Sequence, residues 1–167
     1  QGDLNDLARE TSVVRKVFAD HAIDAVVHFA AFIQVGESVQ NPLKYYRNNS
    51  AAPLTLLSAM KEAGCDQFIF SSTAAVYGDP IKTPIDESHP KSPINPYGTS
   101  KSFLEEVLGD CDTAFGLRSV CLRYFNASGS SSDGRIGEAH QPETHLIPRI
   151  LMAISGETDS FTVFGTD

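Results

Sequence analysis

Three short apolar runs, each followed by a helical pattern, constrain the fold of this chain most strongly. The runs are residues 24–31 (DAVVHFAA), 67–73 (QFIFSST) and 118–125 (RSVCLRYF). Their apolar residues follow one another instead of alternating with polar ones, which is typical of strands buried on both faces of a parallel sheet. Strands that alternate with helices therefore predict an α/β fold, a doubly wound parallel sheet of the nucleotide-binding type.

The segments between the strands carry their own signals. Apolar residues at helical spacing predict four helices, over residues 6–20, 42–63, 96–110 and 145–155. Pro53 should kink or divide the second of these helices. The stretch before the second helix and the proline-rich stretch 79–96 are predicted to be loops. Residues 160–165, SFTVFG, are predicted to form a last short strand.

Composition excludes several classes of partner. The chain has 167 residues and a formal charge of -8, with no basic block, so neither nucleic acid nor an anionic membrane is an expected partner. No apolar run is long enough to span a membrane. Three cysteines without C-x-x-C spacing indicate reduced thiols and a cytoplasmic protein. The five histidines form no H-x-x-x-H or H-E-x-x-H pair, so no metal site is predicted.

The chemically versatile residues follow the strands. The segments HFAA, SSTAAVYG and RYFNASG each stand at the end of a predicted strand. Because the carboxyl ends of parallel strands meet at one edge of the sheet, where ligands bind, we expect these segments to line one site.

Tyr97 and Lys101, in PYGTSK, lie four residues apart on a predicted helix and therefore on one face of it. A free phenol has a pKa near 10, so a basic tyrosine needs that pKa lowered by about 3 units, or about 4 kcal/mol. Burial acts in the opposite direction, so nearby positive charge must do this. The hydroxyls of Ser71 and Thr73, on the opposite side of their strand from Ser72, could orient a substrate alcohol.

The ordered series SSTAAVYG, PYGTSK and LRYFNASG resembles the extended short-chain dehydrogenase/reductase family. Within it, HFAAFIQVGESVQNPLKYYRNN and ETHLIPRI are similar to the UDP-hexose 4-epimerases. The resemblance implies a Rossmann-like NAD-binding domain, residues 1–125, and the beginning of a UDP-sugar-binding region, residues 126–167. It implies an isomerase of galactose metabolism that interconverts UDP-glucose and UDP-galactose through a transient 4-keto sugar. It also implies a homodimer, with helix 42–63 in its interface.

The resemblance assigns roles to individual residues. Tyr97 is the catalytic base, Lys101 is its electrostatic partner and holds the nicotinamide ribose, and Thr73 binds the reacting oxygen. The implied NAD contacts, besides Tyr97 and Lys101, are Asp3, Leu4, Phe29, Ala30, Ala31, Asn48, Ser71 and Phe125. The implied UDP-sugar contacts, besides Thr73 and Tyr97, are Asn126, His145, Leu146, Thr162 and Phe164. Without the resemblance, the three phenylalanines would be predicted as core, and Asn48 and His145 as helix-capping residues.

Departures from the family pattern keep alternatives open. No G-x-x-G-x-x-G is present, and the chain opens without methionine, which we interpret as a piece of a longer protein. We expect these 167 residues alone neither to hold NAD firmly nor to turn over. A nucleotide-sugar dehydratase would carry Asp-Glu after Thr73, where this chain has Ala74 and Ala75. Another epimerase, reductase or decarboxylase of the superfamily, or a non-catalytic nucleotide-sugar sensor, remains an alternative.

Overall fold

The computed structural model describes residues 11–163. The chain divides into two compact units, Gln1–Phe125 and Asn126–Asp167. The first unit contains, in order, α1 (Thr11–Asp20), β1 (Val26–His28), α2 (Val35–Gln40), α3 (Pro42–Tyr45), a π-helical turn (Tyr46–Ala51), α4 (Ala52–Ala63), β2 (Gln67–Thr73), a 3-10 turn (Ala74–Val76), α5 (Pro96–Phe115) and β3 (Arg118–Tyr124). The second unit contains α6 (Leu146–Ile154).

The three strands form one parallel sheet in the order β1-β2-β3. Its register aligns Val27 with Ile69 and Ile69 with Val120. Both crossovers between neighbouring strands contain helices, as parallel connections require. The predicted α/β class is therefore confirmed.

The core of the first unit lies on one face of this sheet. Phe68 and Phe70 point into it from β2 and pack against apolar side chains of α4 and α5, among them Leu57, Met60, Leu104 and Leu108. Strands in sequential order joined by right-handed crossovers place every crossover helix on the same face. Side chains of the opposite face, such as Val27 at 54% and Val120 at 55%, stay exposed. The sequence predicted a sheet covered on both faces. Among the residues described, helices cover one face.

Several element boundaries differ from the prediction. β1 has three residues rather than eight, because its pairing with β2 covers only Val26 to His28. The predicted loop before residue 42 contains the short helix α2. Helix α5 continues to Phe115, past the predicted end near residue 110, and ends at Gly116, whose φ of 74° is left-handed.

Pro53 divides the long helical stretch as predicted. A π-helical turn over Tyr46–Ala51 precedes α4, and Pro53 occupies the first turn of α4. The backbone stays helical across this junction, and the Ala52 N–H donates to the Arg47 carbonyl five residues earlier, so the wider π-helical spacing accommodates a residue that has no N–H. The consequence is a wide turn that holds Asn48 and Asn49.

The second unit differs from its prediction at the end. Helix α6 agrees with the predicted helix, but residues 161–163 are not in a strand, and no strand pairs with them among the residues described. The rest of the predicted strand, residues 164 and 165, lies outside the described range. No helix within residues 11–163 combines the length and apolar character needed to cross a membrane.

Candidate active site

The site begins where β2 ends and α5 starts. The Thr73 hydroxyl accepts a hydrogen bond from the Ala75 N–H at 3.2 Å, which caps the short 3-10 turn after β2. At the start of α5, the Asn95 side-chain oxygen accepts from the Gly98 N–H at 2.8 Å, with Pro96 in the first turn. This N-cap places Tyr97 in the first turn of α5.

Gly98 allows these two elements to approach closely. A Cβ atom at residue 98 would lie 2.5 Å from the Ala75 carbonyl oxygen. Only glycine therefore lets the first turn of α5 rest against the turn after β2. That contact brings Tyr97 beside Thr73, the last residue of β2.

Thr73, Tyr97 and Lys101 come together as predicted. The Thr73 hydroxyl lies close enough to the Tyr97 phenol to lower its pKa. The Lys101 ammonium donates to the Ser71 carbonyl oxygen at 2.9 Å and lies 6.0 Å from the centre of the Tyr97 ring. Lys101 is only 2% exposed, whereas Tyr97 is half-buried and so is partly open to a ligand.

Burial shifts the pKa values of both Tyr97 and Lys101. Burial lowers the pKa of Lys101 to about 8, so the ammonium stays mostly charged at neutral pH. Burial also raises the pKa of Tyr97, and the nearby Thr73 hydroxyl opposes this only partly. The residues described therefore do not ionise Tyr97 by themselves near pH 7.

His28 adds no second positive charge beside Lys101. This buried ring lies at the end of β1, near the Phe68 and Phe70 rings. Burial, and then the charge of Lys101, lower the pKa of His28 to about 4. His28 is thus neutral at pH 7, and no carboxylate among residues 11–163 pairs with the Lys101 ammonium.

Asn49 is a site residue that the sequence analysis did not identify. Its buried side chain donates to the Phe32 carbonyl and accepts from the Phe32 N–H, both at 2.9 Å. It also donates to the Ser100 hydroxyl at 3.3 Å. Asn49 thereby joins the segment after β1 to α5, one residue from Lys101. The neighbouring Asn48, an implied NAD contact, donates to the Asn49 side-chain oxygen at 2.9 Å.

Glu105, which the sequence analysis also did not identify, holds α5 against strands β2 and β3. Its buried carboxylate accepts from the Ser72 hydroxyl at 2.6 Å and from Arg123 Nε and Nη2 at 3.0 and 2.7 Å. Although burial raises the pKa of Glu105, the bonds from Arg123 and Ser72 hold it below its usual value. Ser72 stands between Ser71 and Thr73, so this network fixes the strand end that carries the site.

The other implied NAD contacts of the first unit lie at strand ends. Phe29, Ala30 and Ala31 follow β1, and Phe125 follows β3. Phe29 is 62% and Phe125 60% exposed, so neither ring belongs to the core. Asp3 and Leu4 lie outside the described residues.

The implied UDP-sugar contacts beyond residue 125 belong to the second unit. Asn126 and Thr162 are exposed and lie outside helices and strands. His145 immediately precedes α6, and Leu146, 65% exposed, begins it. The His145 ring faces Glu143, with Nδ1 2.8 Å from its carboxylate. Phe164 lies outside the described range.

Relatives of known name match the whole chain. UDP-glucose 4-epimerase of Rhizobium leguminosarum bv. trifolii is 52% identical over 167 residues, which are 100% of this chain and 50% of the relative. The enzyme of the same name from Lactobacillus helveticus is 52% identical over 168 residues, 100% of this chain and 49% of the relative. The chain thus spans about half the length of the curated relatives it matches.

Solved structures agree with the fold. The NAD complex of UDP-glucose 4-epimerase from Brucella ovis is 48% identical, with a TM-score of 0.90 over 96% of this chain and 48% of that one. The Stenotrophomonas maltophila enzyme, with NAD and formylated UDP-arabinopyranose, is 38% identical, with a TM-score of 0.88 over 99% of this chain and 48% of that one. The model of the NAD dependent epimerase/dehydratase family matches residues 1–167. The chain therefore belongs to that family, as its motifs and parallel sheet indicate.

Proposed function

We propose that the complete protein containing this chain is an NAD-dependent UDP-glucose 4-epimerase. It interconverts UDP-glucose and UDP-galactose through a 4-keto sugar, which places it in galactose metabolism. The names of the relatives support this reaction, since several UDP-glucose 4-epimerases match the chain at about half its positions.

The observation that carries the proposal is the buried Lys101 ammonium beside Tyr97. A buried charge without a counter-charge is costly unless a ligand or function requires it. Lys101 has three N–H donors, and the described residues accept from one of them, at the Ser71 carbonyl. The remaining donors suit the hydroxyls of a ribose and the oxygen of a phenolate.

These residues fit the nicotinamide-ribose part of NAD. Lys101 and Tyr97 would hold the ribose, and Phe29, Ala30 and Ala31, which follow β1, would lie along the cofactor. When bound, NAD would supply hydride transfer to and from C4 of the sugar, and its oxidised ring would add a positive charge near Tyr97. The NAD found in related structures, such as that from Brucella ovis, supports this assignment.

The size of the electrostatic interactions explains why Tyr97 needs two cations, the Lys101 ammonium and the oxidised nicotinamide ring. A unit charge about 6 Å away contributes about 3 kcal/mol at the effective dielectric constant near a protein surface. Lowering the phenol pKa to 7 requires about 4 kcal/mol, in addition to the cost of burial. Lys101 alone falls short, and a second positive charge supplies the difference. Tyr97 is then a base only in the loaded site.

The proton transfer uses residues of this chain. The Tyr97 phenolate accepts the proton of the sugar 4-hydroxyl, while Thr73 holds that oxygen by a hydrogen bond. The same phenol returns the proton when the hydride adds to the other face of the ketone. Water loss needs further acid-base groups, and Ala74 and Ala75 supply none, so dehydration is disfavoured.

Replacing Tyr97 by phenylalanine in the complete protein tests this function. We expect turnover of UDP-glucose to UDP-galactose, measured by separating the epimers, to fall roughly 100- to 10,000-fold. NAD content should remain near that of the wild type, because the ring and Lys101 stay. Tyr46→Phe is the matched control, since Tyr46 is exposed on the π-helical turn, and it should keep full activity.

Two results would contradict the proposal. A wild-type protein that holds NAD but epimerises no UDP-sugar would indicate the sensor alternative. A Tyr97→Phe protein as active as the Tyr46→Phe control would exclude Tyr97 as the base. Incubation with N-acetylated and pentose UDP-sugars in the same assay would identify the preferred substrate.

We also propose a cytoplasmic homodimer. The three cysteines are free thiols, which suits a reducing compartment. Leu43 on α3 and Leu54 on α4 are exposed at 65% and 38%, and would suit a helical dimer interface. Sedimentation of the complete protein measures the oligomeric state, and a monomer would contradict this part.

A further inference from the structure

The Phe70 ring makes a contact that core residues seldom make. Phe70 lies on β2, belongs to the apolar core and is 1% exposed. The Lys101 ammonium nitrogen lies over the face of this ring, 4.9 Å from the ring centre. The same ammonium donates to the carbonyl oxygen of Ser71, the next residue of β2, at 2.9 Å. Two consecutive residues of one strand therefore contact a buried positive charge.

An aromatic ring attracts an ammonium without neutralising it. The π electrons give the ring face a negative potential, which attracts a cation within about 6 Å of the ring centre, most strongly where water is excluded. Phe70 is 1% and Lys101 2% exposed, so water screens this contact little. A carboxylate would also stabilise the ammonium, but its negative charge would cancel the field that Lys101 exerts on Tyr97. The ring has no net charge, so that field persists.

Phe68 is the natural comparison for Phe70. The two residues stand two positions apart on β2, on one face of the sheet, in the same core cluster and at the same exposure of 1%. Both rings also contact the His28 ring, with centres 5.8 and 6.0 Å apart. Among residues 11–163, no lysine or arginine lies over the Phe68 ring, whereas Lys101 lies over that of Phe70. The cation contact therefore separates two otherwise similar core residues.

We propose that Phe70 is a positioning residue, whose ring holds the Lys101 ammonium in its charged form beside Tyr97. The inference rests on the proposed function, because an ammonium that makes Tyr97 a base must keep its charge at the working pH. Phe70 is buried and acts through Lys101, so it is not itself a catalytic residue. Burial already lowers the pKa of Lys101 to about 8. A further fall of about one unit would leave about half of these lysines neutral at pH 7.

Magnetic resonance of isotope-labelled lysine in the complete protein measures the pKa of Lys101 directly. The signal that disappears in Lys101→Met belongs to this residue. Phe70→Leu keeps an apolar side chain but removes the ring, and should lower the pKa of Lys101 by about one unit. Phe68→Leu removes an equally buried ring from the same strand and should leave that pKa unchanged.

A ring-fluorinated phenylalanine at residue 70 separates electrostatics from shape. Fluorine withdraws electrons from the ring and weakens its negative face, while the core stays filled. We expect the pKa of Lys101 to fall, as in Phe70→Leu, so the test holds even where the leucine variant does not fold. His28 and Tyr97, the titratable groups beside Lys101 among the residues described, are the same in every variant.

The pH profile of epimerisation gives a second readout. Activity requires charged Lys101, so the alkaline limb of kcat/KM should move to lower pH in both residue-70 variants and stay in place in Phe68→Leu. A pKa of Lys101 that is unchanged or raised in the residue-70 variants would overturn the proposal, as would an equal fall in Phe68→Leu. A wild-type protein without epimerase activity would contradict the proposed function and not this contact, which the resonance measurement decides alone.

Discussion

Tyr97 and Lys101 show how far single residues can be interpreted from a sequence. Their spacing predicted a shared helical face, and the structure places the ammonium 6.0 Å from the ring centre. Spacing does not reveal burial, however, and burial raises the pKa of one group and lowers that of the other. The sequence analysis missed Asn49 and Glu105 because their side chains bind residues that are distant in sequence.

The burial of Lys101 predicts a pH-dependent stability cost. With a pKa of about 8 in the fold and about 10.4 in the unfolded chain, the unfolded state binds more protons between these values. Wild-type stability should therefore rise by about 2 kcal/mol from pH 8 to pH 10, relative to Lys101→Met. Urea unfolding of both cofactor-free proteins at the two pH values measures this. Parallel stabilities would show that Lys101 is solvated.

At the scale of elements, α5 connects the site to the core. Near its start it carries Tyr97 and Lys101, and further on Glu105 binds Ser72 and Arg123 beneath the sheet. Its start was predictable from Pro96 and its general path from apolar spacing. The contact between Gly98 and Ala75 was not predictable, because a sequence does not show which backbone segment packs against a glycine near a helix start. Likewise, β1 was predicted too long, since apolar composition does not reveal where pairing stops.

The close contact at Gly98 predicts the effect of adding one methyl group. Gly98→Ala should force the helix start away from Ala75, costing about 1–3 kcal/mol and reducing epimerase activity. Gly109→Ala is the control in the same helix, because a Cβ there meets nothing within 4 Å. It should stabilise the protein by about 0.5–1 kcal/mol, since alanine favours helix. Equal effects of both substitutions in thermal unfolding would contradict this contact.

The buried ion pair predicts another loss of stability. Glu105→Gln removes the negative charge that Arg123 pairs with, at a side chain only 3% exposed, and should cost about 3 kcal/mol. Asp66→Asn breaks the exposed pair with Arg118 and should cost less than about 1 kcal/mol. Urea midpoints of the complete protein compare the two. A cost at residue 105 no larger than that at residue 66 would mean that water screens the buried pair.

At the scale of the whole molecule, the order of the strands in the sheet explains which apolar side chains of the described residues are exposed. The described helices cover one face, while Val27, Val120 and Leu122 on the other face stay exposed at 54%, 55% and 37%. The apolar composition of the strands predicted that both faces are covered, whereas among the residues described one face is covered, and which segments lie on each face depends on crossover handedness.

Cofactor retention is the property we expect to differ most between this chain and the complete protein. The pyrophosphate of NAD is held in related folds by a glycine-rich turn at a helix start, and no G-x-x-G-x-x-G occurs in these residues. The net charge of -8 also opposes an anionic ligand that lacks such donors. The 167-residue chain, purified alone, should therefore release no nucleotide on denaturation and show no epimerase activity. The complete protein, treated identically, should release about one NAD per chain. Stoichiometric NAD from the shorter chain would mean that contacts at Lys101, Tyr97 and the end of β1 suffice to hold the cofactor.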